Sequence, residues 1–456
     1  MLANLKIRLL SQYKNFQKQD NKAILLRGAS ASFITKVFGL GLAFVMQVFA
    51  ARILNAGGYG QYAYVLAWVN TLVLLGRMGF DSASVRFIAS YNGAKQWGLL
   101  HGFLRYSTKI IAIASIVVAL SMAIVVWLLR ESIEVDLFQT FLMGCLLLPL
   151  LSAIKVQESR LLAFKKILEA QFPFTVLRPF CILIGIFLLS ITAGEFDSSV
   201  FMMIVVVATA IALGVISYWW RKEIPQEVLQ AKVDFQSQEW FQTGRAMIFV
   251  AGFQVILAQS DTVMIGTIVG NKETGLYAIA HRIASLLVFV LVAFNSALSP
   301  LVADLYTQQK RRELQKIVNK GVNFVFILTL IPALTLIFGN QIILSLFGQE
   351  FLASRSILLI LIVGQITNAS AGPVSLLLNM TGHHDDTVKI LGVTALTNII
   401  LNAALIPQYG AIGAAVATSF STILWNIAML ILVWQRLRII SVACPKAFLP
   451  KLSNRY

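Results

Sequence analysis

Residues 106–129 read YSTKIIAIASIVVALSMAIVVWLL, a run in which Lys109, near its start, is the only charged residue. A bilayer core about 30 Å thick is crossed by roughly 20 apolar residues in a helix, so this run is long enough to cross it. Transmembrane β-strands would instead show alternating segments of roughly ten residues, and such segments do not occur in the sequence. The run therefore predicts a membrane-spanning α-helix.

Apolar runs of this kind recur along the chain of 456 residues. Hydrophobic residues make up 58% of it and charged residues 12%, and the mean hydropathy is +0.79. A water-soluble protein of this size cannot hide that much apolar surface. We predict an all-α integral membrane protein with about twelve transmembrane helices, at residues 29–50, 59–80, 106–129, 137–157, 173–192, 199–220, 242–269, 276–300, 319–338, 354–378, 388–406 and 412–435.

The basic residues give an independent check on this number of spans, because they accumulate beside the spans on the cytoplasmic side. Of the 37 Lys and Arg residues, 28 lie on one side, in the two termini, in the turns that follow spans 2, 4, 6, 8 and 10, and at the span ends beside those turns. The opposite turns hold four, namely Arg52, Arg130, Lys272 and Arg355. Both termini are therefore predicted to be cytoplasmic. The net charge of +17 follows from this orientation, so we expect no nucleic-acid partner.

Two stretches 215 residues apart resemble each other. Residues 59–63 (YGQYA) and 274–278 (TGLYA) each open a helix after a glycine-containing turn, and the same offset carries Tyr91 onto Tyr306. The pattern predicts two pseudo-symmetric six-helix lobes of the same orientation, an arrangement typical of transporters.

The predicted boundaries are a cytoplasmic N-terminal segment at 1–28, an N-lobe at 29–220, a polar linker at 221–241, a C-lobe at 242–436 and a cytoplasmic tail at 437–456. The N-terminal segment is interpreted either as an interfacial helix or as a frayed tail.

Polar residues recur at helical spacing on single faces of several spans. Lys36 and Gln47 share such a face in the first span, and Gln365 and Asn368 share one in the tenth. Small and amide residues of this kind either join helices to one another or line a cavity, and both interpretations stay open.

Charges within the spans are harder to explain by helix packing, because a central charge costs about 2.5 to 3.5 kcal/mol on the insertion scale. Arg77, Arg178 and Arg245 lie within about a turn of span ends, where snorkelling to the headgroups is the alternative to a substrate role. Asp261 and Arg282 flank the turn at 270–275 at similar depths. They predict an ion pair lining a cavity, with a purely structural bridge as the alternative. The candidate cavity residues are Lys36, Gln47, Arg77, Arg178, Arg245, Asp261, Arg282, Gln365 and Asn368.

Catalytic and metal motifs are missing from the sequence. No phosphate-binding glycine loop or nucleophile elbow occurs. Residues 382–386 (GHHDD) lie in a polar turn without further ligands, and Cys145, Cys181 and Cys444 are scattered. We therefore expect no enzyme activity, no metal site and no cofactor.

Four stretches carry a resemblance to a known family. They are residues 52–62 (RILNAGGYGQY), 259–266 (QSDTVMIG) with 274–282 (TGLYAIAHR), 348–351 (GQEF) and 402–418 (NAALIPQYGAIGAAVAT). With them the chain resembles the polysaccharide transporter branch, the O-antigen type flippases, of the multidrug, oligosaccharidyl-lipid and polysaccharide (MOP) exporter superfamily.

The resemblance implies two six-helix lobes around a central cavity. It also implies a flippase that moves an undecaprenyl-diphosphate-linked oligosaccharide across the bacterial cytoplasmic (inner) membrane, with Asp261 at the acidic position of the family's seventh-helix motif. The expected partners are the lipid-linked oligosaccharide, membrane lipids, a coupling cation (H⁺ or Na⁺) and the polysaccharide polymerase machinery.

Two alternatives within the superfamily are a cation-coupled multidrug exporter of the MATE type and a flippase for the lipid-linked peptidoglycan precursor. A mostly basic cavity disfavours cationic drugs. The short loops disfavour a glycosyltransferase subunit or a membrane scaffold.

Overall fold

The computed structural model describes residues 2–191 and 196–443, and it describes side chains from residue 32 onward except those of residues 246, 249, 250 and 297. All regular secondary structure in these ranges is helical. The helices are α1 (Leu2–Arg77), α2 (Phe80–Gly93), α3 (Trp97–Leu128), α4 (Val135–Ala163), α5 (Ile167–Phe172), α6 (Arg178–Ile191), α7 (Ser198–Glu223), α8 (Gln226–Gln230), α9 (Ser237–Ile268), α10 (Asn271–Ser285), α11 (Val288–Thr307), α12 (Arg311–Phe338), α13 (Asn340–Ser345), α14 (Arg355–Ala371), α15 (Val374–Met380) and α16 (His384–Leu437). A π-helical turn (Pro173–Leu177) joins α5 to α6, and a 3-10 turn (Gln349–Ser354) precedes α14.

Two of these helices are too long for a single crossing. The part of α1 from Ser32 has 46 residues and α16 has 54, whereas about 20 residues cross a bilayer core. α1 is broken at Asn55 (φ 56°) and α16 at Gly410 (φ 57°). Both breaks lie between predicted spans, so each long helix contains two crossings.

Within the described residues, eight helices are long and apolar enough to cross a membrane, or nine if the bent pair Asn271–Ser285 and Val288–Ser296 counts as one. Because α1 and α16 each hold two crossings, the predicted number of twelve is compatible with this set. The prediction of an all-α, multi-pass membrane protein is confirmed.

The breaks in α1 and α16 lie at one end of the molecule, which we call the kink end. There the backbone N–H of Ala56 donates to Glu350 (3.0 Å), and the backbone N–H of Ala411 donates to Glu273 (3.3 Å). The Arg52 guanidinium also reaches the carbonyl oxygen of Leu346 at 2.6 Å. The Ala56–Glu350 and Arg52–Leu346 contacts hold the two halves of the chain together at this end, whereas the Ala411–Glu273 bond lies within the second half. The opposite end, where the turns carry most of the Lys and Arg residues, we call the basic end.

The segment between the two halves is attached to the first half. Trp240, which is fully buried, donates from Nε1 to the Tyr91 hydroxyl (2.9 Å), and that hydroxyl donates to Gln236 (3.1 Å). Burial raises the pKa of Tyr91, so the hydroxyl keeps the proton that it donates. The backbone N–H of Asp234 also donates to the carbonyl of Gly98 (3.1 Å). We call Trp240, Tyr91 and Gln236 the linker latch.

The described part of the tail packs against the second half. The backbone N–H of Ile440 donates to Gln315 (2.8 Å), and the Ser441 hydroxyl donates to the carbonyl of Ala371 (2.8 Å). The side chains of the N-terminal segment, on which its interpretation as an interfacial helix depends, and the position of Cys444 lie outside the part of the chain that the structure describes.

Candidate functional site

A buried carboxylate lies in the second half of the chain. Asp261 of α9 is 3% exposed. Its Oδ2 accepts a hydrogen bond from the Tyr277 hydroxyl (2.6 Å) and one from the Thr418 hydroxyl, while its Oδ1 accepts one from Asn402 Nδ2 (2.5 Å). Three neutral donors therefore hold this carboxylate. We call Asp261, Tyr277, Asn402 and Thr418 the Asp261 cluster.

The break in α16 assembles this cluster. Asn402 precedes the break and Thr418 follows it, so both arms of the helix reach the same carboxylate. Gly410 has a left-handed φ of 57°, a conformation that glycine adopts without steric cost. Pro407, three residues earlier, cannot donate a backbone hydrogen bond, which also weakens the helix there.

A second layer of oxygen atoms surrounds the cluster. Asn402 Nδ2 also donates to Asn398 Oδ1 (3.1 Å), which accepts a further bond from the Ser260 hydroxyl (2.9 Å). The Oδ1 atom of Asn402 is buried and has no hydrogen-bond partner in the described part of the chain. Carboxylate, amide and hydroxyl oxygens of this kind accept a proton or coordinate a hard cation.

The predicted ion pair between Asp261 and Arg282 is wrong. Arg282 is exposed, and the salt bridges of the described residues do not include it. Tyr277 takes the place of Arg282 because its face of α10 meets α9, whereas Arg282, five residues later, lies about 140° further around the helix. His281 stacks on the Tyr277 ring, with 5.7 Å between ring centroids.

Arg282 instead lies near charged and phenolic groups of the first half. It interacts electrostatically with Tyr59, Tyr62 and Arg178. Neither Arg282 nor Arg178 forms an ion pair with a carboxylate of the described residues. Arg178 and Arg282, one from each half, therefore influence each other and the same tyrosine, Tyr62, electrostatically. We call Arg178 and Arg282 the arginine pair.

Arg178 lies deeper than its sequence position suggested. The helical segment that holds it runs from Ile167 to Ile191, so Arg178 is near its middle rather than one turn from its end. Its Nε donates to the Thr209 hydroxyl (2.9 Å), and the guanidinium lies 4.9 Å from the Phe174 ring centroid. These contacts favour a position within the protein over snorkelling, and a substrate role of Arg178 stays a prediction.

The π-helical turn Pro173–Leu177 immediately precedes Arg178. Such turns shift the register of the following helix and are frequent at functional sites. The first half of α1 packs closely on this turn, because a Cβ at Gly39 would lie 2.6 Å from the carbonyl oxygen of Thr175. Gly39 therefore permits the close approach that fixes the position of Arg178.

A polar crevice of about 280 Å³ lies at the basic end, between the second arm of α1 and α9. Arg77 lines it and pairs with Asp81 (2.8 Å), so this arginine is neutralised by a neighbour one turn away. Asn70 and Gln254 face the same crevice. Arg245, which follows nearby in α9, is exposed and forms no ion pair among the described residues.

The remaining candidate residues are distributed along the first and tenth predicted spans. Gln47 is buried and accepts a hydrogen bond from the Tyr59 hydroxyl. Lys36 is half-buried without an ion pair in the described region. Gln365 and Asn368 are half-buried, and the Oε1 of Gln365 has no hydrogen-bond partner there. Their role in a cavity stays a prediction.

Sequence reasoning missed Tyr277, Thr418 and Arg160. Tyr277 lies in the repeated stretch and in the family-like stretch 274–282, and Thr418 ends the family-like stretch 402–418, so neither carried a signal of its own. Arg160 was assigned to a turn, yet α4 continues to Ala163 and buries it.

Comparisons with known proteins place the chain among membrane transporters. Residues 25–306 match the family model described as polysaccharide biosynthesis protein, and residues 246–404 match the MatE model. The chain is 32% identical over 172 residues to the probable flippase AglR of Haloferax volcanii, a match that covers 37% of this chain and 36% of AglR. The match thus spans about a third of that relative's length.

A longer match is to the probable low-salt glycan biosynthesis flippase Agl15 of the same organism, at 22% identity over 412 residues, covering 87% of this chain and 81% of Agl15. Among solved structures, an inward-facing multidrug resistance MATE family transporter of the MOP superfamily has a TM-score of 0.70 at 12% identity, covering 90% of this chain and 98% of that one. The lipid II flippase MurJ in an inward closed conformation has a TM-score of 0.65 at 16% identity, covering 90% and 87%. These structures show that the fold is shared.

Proposed function

The chain belongs to the polysaccharide biosynthesis protein family, and from this premise we propose that it is a flippase for an undecaprenyl-diphosphate-linked oligosaccharide in the bacterial cytoplasmic (inner) membrane. The names of its relatives AglR and Agl15 support the general activity. The diphosphate cargo rests on the charges between the two halves of the chain.

The arginine pair is the observation that carries the proposal. Arg178 and Arg282 come from different halves, interact electrostatically and lack carboxylate partners among the described residues. Two like charges that interact repel each other, so an anion that binds near both is favoured. Guanidinium groups bind phosphate oxygens through paired hydrogen bonds. A diphosphate offers both the charge and the acceptors.

We expect transport by alternating access between the two lobes that the sequence predicts, residues 29–220 and 242–436. Contacts between the halves close the kink end, and the crevice beside Arg77 lies at the basic end. With the basic end in the cytoplasm, as the distribution of Lys and Arg predicts, this conformation is the one that loads substrate from the cytoplasmic side. Both termini are then cytoplasmic.

The Asp261 cluster is the proposed coupling site for H⁺ or Na⁺. The MatE match at residues 246–404 includes Asp261 and Asn402, and the cluster offers a carboxylate with a buried amide oxygen that lacks a partner. The same features also suit the second candidate function, a cation-coupled drug exporter. The arginine pair disfavours that alternative, because a cationic drug would be repelled.

The test uses purified protein in liposomes that contain a fluorescent polyprenyl-diphosphate-linked oligosaccharide. Flipping is followed by quenching the label with an impermeant reductant. We expect wild-type protein to increase the accessible fraction, Arg282→Gln to slow flipping at least tenfold, and Arg282→Lys to retain more activity than Arg282→Gln. Arg86→Gln, at an exposed position of the basic end, serves as the matched charge control.

The outcomes separate the two candidates. Transport of ethidium that is driven by an imposed ion gradient, with no flipping of the diphosphate lipid, would establish the exporter instead. Equal flipping by wild-type protein and Arg282→Gln would remove the arginine pair as the basis of the cargo assignment.

A further inference from the structure

A second cavity lies wholly within the first half of the chain. It has a volume of about 270 Å³ and is lined by residues of α3, α4 and α7. Its polar wall includes Thr108, Gln157 and Arg160, and its remaining wall is largely aliphatic. Neither the arginine pair nor any residue of the Asp261 cluster lines it, so this cavity is separate from both.

Arg160 is a buried cation without a counter-ion. It is 5% exposed, and the salt bridges of the described residues do not include it. Its Nη2 donates to the hydroxyls of Ser107 (3.0 Å) and Thr108 (2.8 Å), and its guanidinium lies 5.7 Å from the Trp220 ring centroid. These groups are neutral. A buried charge with only neutral partners is costly, so an anion in the cavity would be favoured.

Two polar atoms at this wall lack hydrogen-bond partners within the described residues. They are Nε of Arg160, which is a donor, and Oε1 of Gln157, which is an acceptor. The two residues are three positions apart on α4 and line the same cavity. A matching ligand therefore carries an anionic oxygen and, next to it, a hydrogen-bond donor.

The rest of the wall is apolar and continues onto the outer surface of α3. Ile111, Ile116, Leu150 and Leu213 line the cavity. Ile116 is 51% exposed, and Val117 and Leu120 extend its exposed apolar face. In a membrane protein such a face contacts acyl chains, so a ligand of this cavity has hydrocarbon attached to its anionic group.

The depth of Arg160 matches that of lipid headgroups. It lies three residues before the end of α4 at Ala163, and Lys165 and Lys166 follow in the turn at the basic end. Basic residues at this depth attract anionic lipids of the cytoplasmic leaflet.

We propose that this cavity binds a resident anionic phospholipid whose headgroup carries a hydroxyl, of the phosphatidylglycerol type. The phosphate accepts a hydrogen bond from Arg160 Nε, the headgroup hydroxyl donates to Gln157 Oε1, and one acyl chain follows Ile111 and Ile116. The cavity volume of about 270 Å³ is below the roughly 300 Å³ of common ligand pockets. The cavity therefore holds the phosphate and the first methylenes, while the rest of the acyl chain lies in the bilayer.

Native mass spectrometry of the full chain, released from detergent after incubation with defined lipids, tests this site. One arm uses phosphatidylglycerol, a second uses phosphatidylcholine, which has a phosphate but no donor, and a third uses inorganic phosphate with thermal unfolding as readout. We expect one phosphatidylglycerol to stay bound per protein, at least tenfold more often than phosphatidylcholine. Inorganic phosphate should not shift the unfolding temperature.

Two variants address the site itself. Arg160→Gln removes the charge, and Ala153→Leu fills the cavity without touching Arg160; both should lose the retained lipid. Arg105→Gln, an exposed arginine of α3 outside the cavity, is the charge control and should keep it. Retention of phosphatidylglycerol by Ala153→Leu, or retention of phosphatidylcholine as often as phosphatidylglycerol, would overturn the proposal. A raised unfolding temperature with inorganic phosphate alone would also overturn it. If Arg160→Gln does not fold, the result for Ala153→Leu decides.

Discussion

Gly60 and Gly275, which stand at equivalent positions of the repeated stretches, lie against each other where the second arm of α1 crosses α10. A Cβ on Gly60 would lie 2.9 Å from the backbone nitrogen of Gly275, and one on Gly275 would lie 3.1 Å from that of Gly60. Equivalent residues touch each other when the symmetry axis passes between them. The axis that relates the two halves therefore runs through this crossing, at the kink end.

The crossing is built from small residues, and this makes it sensitive to a single methyl group. A Cβ on Gly60 would lie 1.7 Å from the carbonyl oxygen of Asn271, so Gly60→Ala must push the helices apart. Overpacking of this kind costs about 1 to 3 kcal/mol. We expect Gly60→Ala to open the kink end and to make Thr274→Cys, a buried position beside Gly275, react several-fold faster with an impermeant maleimide in a chain without the native cysteines.

Gly57→Ala is the matched control, because a Cβ there meets nothing within 4 Å. In Gly57→Ala the reporter cysteine should react with the maleimide at the same rate as in the chain that keeps both Gly57 and Gly60. Equal rates for Gly60→Ala and Gly57→Ala would show that the crossing does not hold the kink end closed.

The arginine pair predicts a specific pattern of affinities. Each of Arg178→Gln and Arg282→Gln should raise the KM for the diphosphate lipid by about ten- to a hundredfold, because a hydrogen bond to a charged group contributes about 1.5 to 3 kcal/mol. The double variant should lose less than the product of the two single effects, since each single change also relieves the repulsion between the arginines. Flipping rates at varied lipid concentration measure this. Strictly multiplicative losses would mean that the two arginines act on separate groups.

The Asp261 cluster predicts that the charge of one carboxylate sets the response to cations. Asp261→Asn keeps the size of the side chain but removes the charge that a cation or proton would neutralise. We expect this variant to lose the stimulation of flipping by a Na⁺ or pH gradient at least tenfold. Asp304→Asn, an exposed aspartate, should respond like wild type. Gradient-driven flipping that persists in Asp261→Asn at normal protein levels would assign the cluster a structural role only.

Much of the architecture could be predicted from the sequence because lipid imposes a simple rule on helix length and composition. The breaks at Asn55 and Gly410 fell between predicted spans, although the regular helix continues on both sides of each break. Helix ends were less predictable. α4 and the segment around Arg178 extend further than their apolar runs, so Arg160 is buried where a turn was expected, and Arg178 is half-buried near the middle of its segment where a headgroup region was expected.

Partners of the charged residues could not be predicted from depth alone. Asp261 and Arg282 do lie on consecutive helices, yet the direction of each side chain depends on its angle around the helix axis. That angle brings Tyr277 to Asp261 and turns Arg282 toward Tyr59 and Arg178. Thr418 reaches the same carboxylate only through the break at Gly410, which is a property of the three-dimensional structure.

The linker latch predicts a loss of stability that is independent of transport chemistry. Trp240 is fully buried, packs edge-on against Phe103 with 5.5 Å between ring centroids, and donates to Tyr91. Tyr91→Phe leaves the indole N–H buried without an acceptor, which costs about 1 to 3 kcal/mol. Trp240→Ala adds a cavity, and large aromatic truncations of this kind cost about 3 to 5 kcal/mol.

We therefore expect both variants to unfold at lower temperature than wild type in detergent, with Trp240→Ala shifted more than Tyr91→Phe. Trp127→Ala, an exposed tryptophan of α3, is the control and should shift little. Because the latch ties the start of α9 to the first half, we expect motion between the halves to begin beyond Trp240. A further close contact of α9 with the first half is at Gly244, where a Cβ at Gly79 would lie 2.1 Å from the carbonyl oxygen of Gly244. An unchanged unfolding temperature in Trp240→Ala would mean that the linker moves freely of the first half, and the pivot would then lie before Trp240.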